Sequence, residues 1–305
     1  MKRIMVTGGT GLVGSRLEAD IHLSSKDANL KNYSEVENLF KKLKPTSVIH
    51  CAARVGGVGG NMNARGEFYF DNIMINTNVL EACRIYKVEK LVSFLSTCIF
   101  PDKVQYPLTE NKIHLGAPHW SNYGYAYAKR MLDVQTSVYR DQYDVNFVSV
   151  VPTNIYGPDD NFNLETGHVV PSLIHSINII KIIDIKKYNT SFCVWGSGKP
   201  LREFIYSEDI AELTKWALLH YNEPEPIIFS TSQEISISDL VDLIVKAMGF
   251  KGKVVFDSTK PEGQFRKPAD NSKLISYLPN YKFTPAYKNK LWDGQIRLYN
   301  VHTQT

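Results

Sequence analysis

The sequence has little cysteine and no cluster of metal-ligating residue types. Its four cysteines, at positions 51, 83, 98 and 193 of 305, form no Cys-x-x-Cys pair and no His-Cys group of the kind that holds zinc. We therefore expect no metal site and a reducing compartment. The 35 basic and 31 acidic residues are interspersed, without a basic run or an arginine-rich arm. This distribution argues against a nucleic-acid partner.

Long apolar segments are also lacking. No apolar run approaches the roughly 20 residues that a membrane helix needs. Only three apolar residues separate Met1-Lys2-Arg3 from a glycine-rich turn, too few for a signal peptide. We expect a cytoplasmic protein with no membrane partner. What is present is an ordinary globular composition, with 43% hydrophobic residues and a net charge of +4, which suits one large domain or two.

The glycine-rich turn follows residues 4–6, a short buried-strand pattern. Three glycines are spaced as Gly-x-x-Gly-x-x-Gly, a variant of the dinucleotide fingerprint in which a tight turn brings the backbone and a helix N-terminus close to a pyrophosphate. A chance turn is the alternative, but the position directly after a strand favours a cofactor loop. The loop residues expected to contact the cofactor are Gly8, Gly11, Leu12, Val13 and Gly14.

The residues after the second predicted strand, 20–23, indicate which cofactor is used. An acidic residue at this point usually binds the ribose 2′-hydroxyl of NAD, whereas a basic residue suits the 2′-phosphate of NADP. Ser24, Ser25 and Lys26 stand there and favour NADPH, with Asp27 as the competing choice one residue out of register.

The neighbouring connections are unusual in length or composition. Only residues 15–19 remain for the first crossover helix, so we expect it to be stunted. Residues 45–53 read as a strand that ends in Ala52 and Ala53, whose small side chains let a cofactor lie close to the backbone; simple strand packing is the alternative. The glycines at residues 56–60 predict a flexible loop.

A tyrosine and a lysine four residues apart form the candidate catalytic pair. In a helix, Tyr125 and Lys129 lie on one face about one turn apart. There the ammonium favours the phenolate and lowers a phenol pKa that is ordinarily about 10. Ser96, which follows a predicted strand, can hold a carbonyl oxygen together with the tyrosine. Tyr86 and Lys90 share the spacing but lie at the entry edge of that strand, whereas ligands of open α/β sheets bind beyond the carboxyl ends.

The order of elements predicts the fold class. Strands and helices alternate up to the β-branched strand at residues 145–151, which predicts an α/β fold with a Rossmann-like, doubly wound parallel sheet. The elements beyond it are shorter and mixed. We therefore expect an NADP-binding Rossmann domain over residues 1–160, rejoined by about 203–225, and a smaller mixed α/β C-terminal lobe that binds substrate over residues 161–305.

The glycine loop, Ser96 and the Tyr125/Lys129 pair resemble the extended short-chain dehydrogenase/reductase superfamily. Within it the chain is similar, over nearly its whole length, to enzymes that epimerise and then reduce a GDP-linked 4-keto-6-deoxy sugar. The segments that carry this similarity are residues 96–101, 152–162, 167–171, 194–198 and 202–204. The resemblance implies NADPH as cofactor, a GDP-sugar substrate, and a homodimer built from the helices predicted at 71–86 and 125–143.

The resemblance also assigns roles to individual residues. It implies that Ser96, Tyr125 and Lys129 are the reductase triad, and that Cys98 and His168 are the acid and base of epimerisation. The residues that it implies in substrate binding are Asn154, Trp195, Arg202 and Glu262, the last replacing an Asp that is common in the family. The residues that it implies at the cofactor, besides those of the glycine loop and the strand ends, are Tyr125, Lys129, Pro152, Asn154, Ile155 and His168.

The chemistry of such a substrate suits these residue types. A ketone at C4 makes the protons at C3 and C5 acidic, so inverting both centres requires a proton remover and a proton donor beside a polarised oxygen. A thiol and an imidazole can do this. The structural alternatives are a buried cysteine for Cys98 and a capping histidine for His168, with Trp195 in the core and Arg202 in a surface ion pair.

Two other functions are weighed against this one. A related sugar-nucleotide 4-epimerase or 4,6-dehydratase shares the fold, but the dehydratases characteristically carry an acidic pair where this chain has Thr97-Cys98. A non-catalytic NADP-binding regulator of the same fold is the second alternative. The intact Ser96, Tyr125 and Lys129 set argues against it.

Overall fold

The computed structural model describes residues 3–164, 166–183 and 191–284. Its helices are α1 (Tyr33–Leu43), α2 (Val58–Asn63), α3 (Arg65–Ile85), α4 (Tyr123–Tyr143), α5 (Val169–Ile183), α6 (Ser207–His220), α7 (Ile237–Met248) and α8 (Ser272–Tyr277). Its strands are β1 (Ile4–Thr7), β2 (Ile21–Leu23), β3 (Ser47–His50), β4 (Lys90–Phe94), β5 (Phe147–Pro152), β6 (Asn154–Tyr156), β7 (Ser191–Trp195), β8 (Leu201–Tyr206), β9 (Ile227–Phe229), β10 (Glu234–Ser236) and β11 (Lys253–Asp257). None of the helices in these ranges is long and apolar enough to cross a membrane. Of the predicted substrate lobe, residues 165, 184–190 and 285–305 lie outside the described residues.

Six parallel strands form the central sheet, in the order β2-β1-β3-β4-β5-β9. β3, β4 and β5 are buried along their whole length, as expected for strands covered on both faces. Leu91 of β4 joins the apolar cluster beneath α1, α3 and α4. Val92, its neighbour, joins the cluster beneath α6 on the opposite face. The predicted α/β fold with a doubly wound parallel sheet is therefore confirmed.

The first crossover is a single 3-10 turn, Gly14–Arg16, in place of a helix. The prediction of a stunted first crossover is confirmed. Beside the turn lies a cavity of about 300 Å³ that is lined by apolar side chains of β1, β3, α6 and the chain after the turn. These apolar side chains are Ile4, Leu17, Ala19, Ile49, Leu218 and Leu219. α6 therefore forms one wall of this cavity.

The prediction of a flexible loop over residues 56–60 is wrong from Val58 onward, because α2 begins there. The buried amide of Asn61 donates hydrogen bonds to the carbonyl oxygens of Gly56 and Gly57, at 2.7 and 3.1 Å. These bonds tie the helix to the glycines that precede it. A tertiary contact thus overrides the low helix propensity of glycine.

The smaller lobe contains β10, β8 and β6, which form a mixed sheet, and β7 and β11, which pair in parallel. α5 and α7 pack there in a buried cluster that includes Ile174, Val194, Phe204 and Leu240. After this lobe begins, the chain returns to the central sheet, where α6 covers one face and β9 extends the edge. α8 packs against β9. The chain thus crosses between the lobes more than once, and the boundary at residue 160 stays a prediction.

Candidate active site

The parallel strands deliver the candidate residues to one edge of the sheet. β1 ends at Thr7, just before the glycine loop, β3 leads to Ala52, and β4 leads to Ser96. Since the strands are parallel, these carboxyl ends meet at the same edge, where open α/β sheets bind their ligands.

The glycine loop is folded tightly enough to receive a dinucleotide. Gly8 has a φ of +69°, and a Cβ there would lie 2.9 Å from the backbone of Ala52, so the loop sits directly against the end of β3. A Cβ at Gly14 would lie 2.2 Å from the Gly8 carbonyl oxygen. At Gly11 an added Cβ would meet that oxygen at 3.4 Å and otherwise open space. The backbone at Gly11 is therefore accessible, and the loop fits the diphosphate of NADPH.

The turn after β2 uses its acidic residue internally. The Asp27 carboxylate accepts hydrogen bonds from the N–H and the Oγ of Ser24, each at 2.7 Å. These bonds lower the pKa of the Asp27 carboxyl. Ser25 and Lys26 are exposed beside it. The Asp27 carboxylate is thus hydrogen-bonded within the turn, and the exposed Ser25 hydroxyl and Lys26 ammonium are available to bind a cofactor.

Ser96 and Cys98 stand at the exit of β4. The Ser96 side chain accepts a hydrogen bond from the Cys98 N–H at 3.3 Å and caps the 3-10 turn Thr97–Ile99. Ser96 and Cys98 are partly exposed, whereas Thr97 between them is buried. The fully buried position considered as the alternative for Cys98 is therefore wrong, and its role in the reaction stays a prediction.

α4 carries Tyr125 and Lys129 to the same strand exit. Lys129 is 1% exposed, and its Nζ donates a 2.7 Å hydrogen bond to the carbonyl oxygen of Phe94, the last residue of β4. The same Nζ lies 6.0 Å from the ring centroid of Tyr125. The lysine therefore fixes the helix, and with it the tyrosine, beside Ser96.

Burial dominates the ionisation of this pair. It raises the pKa of the Tyr125 phenol above the usual value, and the neighbouring Cys98 raises it further. Burial also lowers the pKa of Lys129 to about 8. The predicted lowering of the Tyr125 pKa by Lys129 is therefore wrong for the protein alone, because burial of the phenol, with Cys98 beside it, sets the direction of the shift. A phenol with a raised pKa keeps its proton, as a proton donor must.

Arg202 and Lys267 lie near Cys98. Burial lowers the pKa of Arg202 and of Lys267, and the charge of the Cys98 thiolate opposes both shifts. The side chains of Arg202 and Lys267 therefore lie close enough to Cys98 to interact with it electrostatically. Lys267 is missing from the sequence-based predictions, because it stands in a polar stretch with no motif spacing to single it out.

The substrate residues predicted in the second lobe converge on the turn between β7 and β8. Arg202 Nη2 donates to the Glu262 carbonyl oxygen at 3.1 Å. The Glu262 carboxylate accepts from the N–H and the Oγ of Ser197, at 2.6 and 2.7 Å. Trp195 is 57% exposed, and Lys260 Nζ lies 5.7 Å from the centroid of its ring. A core position for Trp195 is therefore wrong, and its indole is available to a ligand.

His168 stands apart from this cluster, immediately before α5. Its side chain is 46% exposed, and its Nδ1 lies 3.9 Å from Asp160 Oδ1. The loop that carries it is joined to the first lobe by a 3.0 Å hydrogen bond from the Gly57 N–H to the Thr166 carbonyl oxygen. Within the described residues no hydrogen bond or ion pair joins His168 to Cys98. Their shared role in one reaction stays a prediction.

Pro152, Asn154 and Ile155 follow the exit of β5. Pro152 is buried as the last residue of that strand, whereas Asn154 and Ile155 are half-buried. Asn154 Nδ2 donates a 2.6 Å hydrogen bond to the carbonyl oxygen of Glu203 in β8. This bond links the exit of the central sheet to the smaller lobe. The contacts of these three residues with cofactor or substrate stay predictions.

Known proteins resemble both the sequence and this structure. The model of the NAD dependent epimerase/dehydratase family matches residues 4–230. The chain is 48% identical over 297 residues to GDP-L-fucose synthase of Dictyostelium discoideum, with 93% of this chain and 91% of that protein covered. It is 47% identical over 299 residues to a probable GDP-L-fucose synthase of Drosophila melanogaster, with 93% of each covered.

A solved structure gives the same result. The crystal structure of a GDP-L-fucose synthetase from Naegleria fowleri bound to NADP matches with a TM-score of 0.90 and 40% identity, covering 100% of this chain and 94% of that one. The chain therefore belongs to the NAD dependent epimerase/dehydratase family, and within it to the group that contains the GDP-L-fucose synthases.

Proposed function

We propose that this chain catalyses the 3,5-epimerisation and NADPH-dependent 4-reduction of GDP-4-keto-6-deoxy-D-mannose to GDP-L-fucose. The observation that carries the proposal is the position of Cys98 at the same strand exit as Ser96, Tyr125 and Lys129, in a chain whose relatives are named GDP-L-fucose synthase. A reductase triad alone would serve many ketones. The thiol adds a group that can move protons at the carbons next to the ketone.

NADPH, when bound, supplies the hydride that reduces C4. The residues proposed to hold it are Gly8, Gly11, Leu12, Val13 and Gly14 at the diphosphate, Ser25 and Lys26 at the 2′-phosphate, and Ala52, Ala53, Tyr125, Lys129, Pro152, Asn154, Ile155 and His168 along the remainder. Lys26 is exposed and Asp27 is bonded to Ser24. This arrangement supports a preference for the phosphorylated cofactor.

For the reduction, Ser96 and Tyr125 hold the C4 carbonyl oxygen, and Tyr125 donates the proton that this oxygen needs. Burial keeps that proton on the phenol until then, since it raises the Tyr125 pKa. Lys129 provides positive charge close to the phenol as its proton leaves, from a position fixed by Phe94.

For the epimerisation, Cys98 and His168 move protons at C3 and C5 from opposite sides of the sugar. Loss of either proton gives an enolate whose charge lies on the C4 oxygen, where Ser96 and Tyr125 hold it. Arg202 and Lys267 add positive charge to the same pocket, which suits both the enolate and the substrate diphosphate.

The nucleotide half of the substrate is proposed to lie against the smaller lobe. The exposed Trp195 indole offers a surface on which a base can stack. Both hydrogen bonds from Ser197 go to Glu262 Oε2, so Oε1 is available to the base. Asn154, bonded to the backbone of β8, is proposed to contact the substrate from the exit of the central sheet.

A direct assay tests the function. Incubation with NADPH and GDP-4-keto-6-deoxy-D-mannose is expected to oxidise NADPH in stoichiometric amounts. A 4-epimerase or 4,6-dehydratase recycles its cofactor and would show no net oxidation, and a regulator would show no turnover. Either result would remove the proposal.

Isotope exchange in heavy water tests the division of roles. Cys98→Ser and His168→Gln are expected to lose deuterium incorporation at C3 or C5 while still reducing un-epimerised substrate slowly. Tyr125→Phe is expected to lose reduction by on the order of 10²-fold and to keep some exchange. Cys193→Ser, at an exposed cysteine of β7, is the matched control. Exchange at the wild-type rate in the Cys98 and His168 variants would return both residues to structural roles.

We also propose a homodimer in the cytoplasm. α3 and α4 pack against each other and expose apolar side chains, each between 38% and 58% accessible. They are Tyr69, Phe70, Met131, Val134 and Val138. An apolar face of this kind suits a second copy of the chain. The free thiols of all four cysteines suit a reducing compartment.

A further inference from the structure

Asp160 places a buried carboxylate beside His168. The Asp160 side chain is 4% exposed, and its Oδ1 lies 3.9 Å from His168 Nδ1. Oδ1 also accepts a 2.7 Å hydrogen bond from the Asn161 N–H. Oδ2 is buried and has no hydrogen-bond partner among the described residues. The carboxylate therefore has unused acceptor capacity next to an imidazole nitrogen.

His168 is the side chain that can provide a positive charge next to the Asp160 carboxylate. Burial raises the pKa of the Asp160 carboxyl, while the charge of His168 and the Asn161 N–H oppose that shift. The adjacent Asp159 is engaged elsewhere, in a 2.8 Å ion pair with Arg16. The Asp160 carboxylate can thus stabilise His168 electrostatically when the imidazole gains a proton.

We propose that Asp160 is a positioning residue for His168, whose carboxylate accepts the His168 Nδ1–H, presents Nε2 to the sugar and stabilises the imidazolium formed during epimerisation. The proposal rests on the proposed function. When Nε2 takes a proton from the sugar carbon, the electron pair of the broken C–H bond moves to the C4 oxygen. The Nδ1 proton stays on the ring, and the carboxylate stays ionised. The Cys98 thiol then donates a proton to the opposite face of that carbon. Nε2 releases its proton to solvent, and the thiolate regains one from solvent.

The distance between the two groups is consistent with closure on substrate. A hydrogen bond between them requires about 3 Å, so the observed 3.9 Å closes with a movement of about 1 Å. Catalytic hydrogen bonds are often long before the substrate binds. The loop before His168 is attached to the first lobe by the hydrogen bond from the Gly57 N–H to the Thr166 carbonyl oxygen.

The test compares Asp160→Asn with Asp159→Asn. The control removes the neighbouring carboxylate at a residue with a φ of +66°, a conformation that asparagine accepts readily. Deuterium exchange at C3 and C5 and NADPH oxidation are measured in the same samples from about pH 5.5 to 9. We expect Asp160→Asn to slow exchange by about 10-fold and to move the imidazole-dependent limb of its pH profile toward lower pH. Slow hydride transfer to un-epimerised substrate remains at the level of the His168→Gln variant, and the control behaves as the wild type.

Several results would overturn the inference. They are a wild-type exchange rate and pH profile in Asp160→Asn, an equal loss in Asp159→Asn, or a lower rate with an unmoved pH limb. If Asp160→Asn does not fold, Asp160→Glu takes its place. Because that variant keeps the negative charge, we expect slower exchange but an imidazole-dependent limb of the pH profile close to that of the wild type. A displaced limb would contradict the proposal. Absence of both exchange and NADPH oxidation in the wild type would instead refute the proposed function.

Discussion

Lys129 is expected to lower the stability of the fold while serving the reaction. Its side chain is 1% exposed, and burial lowers its pKa from 10.5 to about 8. At pH 7 the lysine is still protonated, but its charge is less favourable in the folded protein than in the unfolded chain, at a cost of roughly 3 kcal/mol. Lys129→Met removes this cost and loses the hydrogen bond to the Phe94 carbonyl oxygen, worth about 1–2 kcal/mol. We expect a net stabilisation of about 1–2 kcal/mol, or roughly 2–5 °C in Tm, together with a large loss of hydride transfer.

The pH dependence has a definite sign. The pKa of Lys129 in the folded protein, about 8, lies below the value of about 10.4 for an unfolded lysine. Between these pH values the unfolded chain binds more protons, so the stability of the wild type rises with pH. The advantage of Lys129→Met should therefore be largest at pH 7 and fade toward about pH 10. Calorimetric melting of both proteins over this range measures it.

Lys90 provides the matched control. Burial lowers its pKa to about 8 as well, but its Nζ donates to the Tyr221 carbonyl oxygen and to the side-chain oxygens of Asn146 and Asn222. Lys90→Met leaves the Tyr221 carbonyl oxygen and Asn146 Oδ1 without a donor, whereas Asn222 Oδ1 keeps the hydrogen bond from Asn146 Nδ2. The variant should therefore lower the Tm. A lower Tm for Lys129→Met at pH 7, or an advantage that does not shrink with pH, would refute the reasoning.

Further expectations concern the cofactor and the assembly. Gly14→Ala places a Cβ 2.2 Å from the Gly8 carbonyl oxygen and should weaken NADPH binding at least about tenfold; a wild-type affinity in a fluorescence titration would contradict this. The wild type should have a higher kcat/KM with NADPH than with NADH, and Lys26→Ala should bring these two values closer together. Equal kcat/KM values for both cofactors in the wild type would show that another group selects the cofactor. Light scattering should give a dimer mass for the wild type and a smaller mass for Met131→Asp, and a monomeric wild type would remove the assembly.

The sequence predicted the parts of the site that depend on local pattern and strand order. Glycine spacing predicted the tight loop after β1, and the end of the predicted strand placed Ser96 and Cys98 at the exit of β4. Tyr125 and Lys129 followed from helical spacing together with the rule that ligands bind at the carboxyl ends of parallel strands. Each of these rests on residues close in sequence or on the direction of a strand.

What the sequence could not predict depends on burial, which is a property of the packed chain. The pKa of Tyr125 rises because neighbouring elements exclude water from it, although Lys129 has the predicted spacing. Asp159 and Asp160 are adjacent in the sequence, but packing buries the Asp160 carboxylate and leaves Asp159 in a surface ion pair. Lys267 reaches Cys98 from a distant polar stretch. α2 forms in a glycine-rich segment because Asn61 finds backbone partners.

The single 3-10 turn at Gly14–Arg16 limits how much the backbone can do for a bound phosphate. A full helix aligns its peptide dipoles into the equivalent of about half a positive charge at its N-terminus. A turn of three residues aligns too few peptide units to build such a macrodipole. The diphosphate of the cofactor must then be neutralised by individual N–H groups of the loop and by mobile ions from the solvent. Because the loop attracts the diphosphate less strongly than a helix N-terminus would, the affinity for NADPH should fall less steeply with rising ionic strength than it would with a full crossover helix.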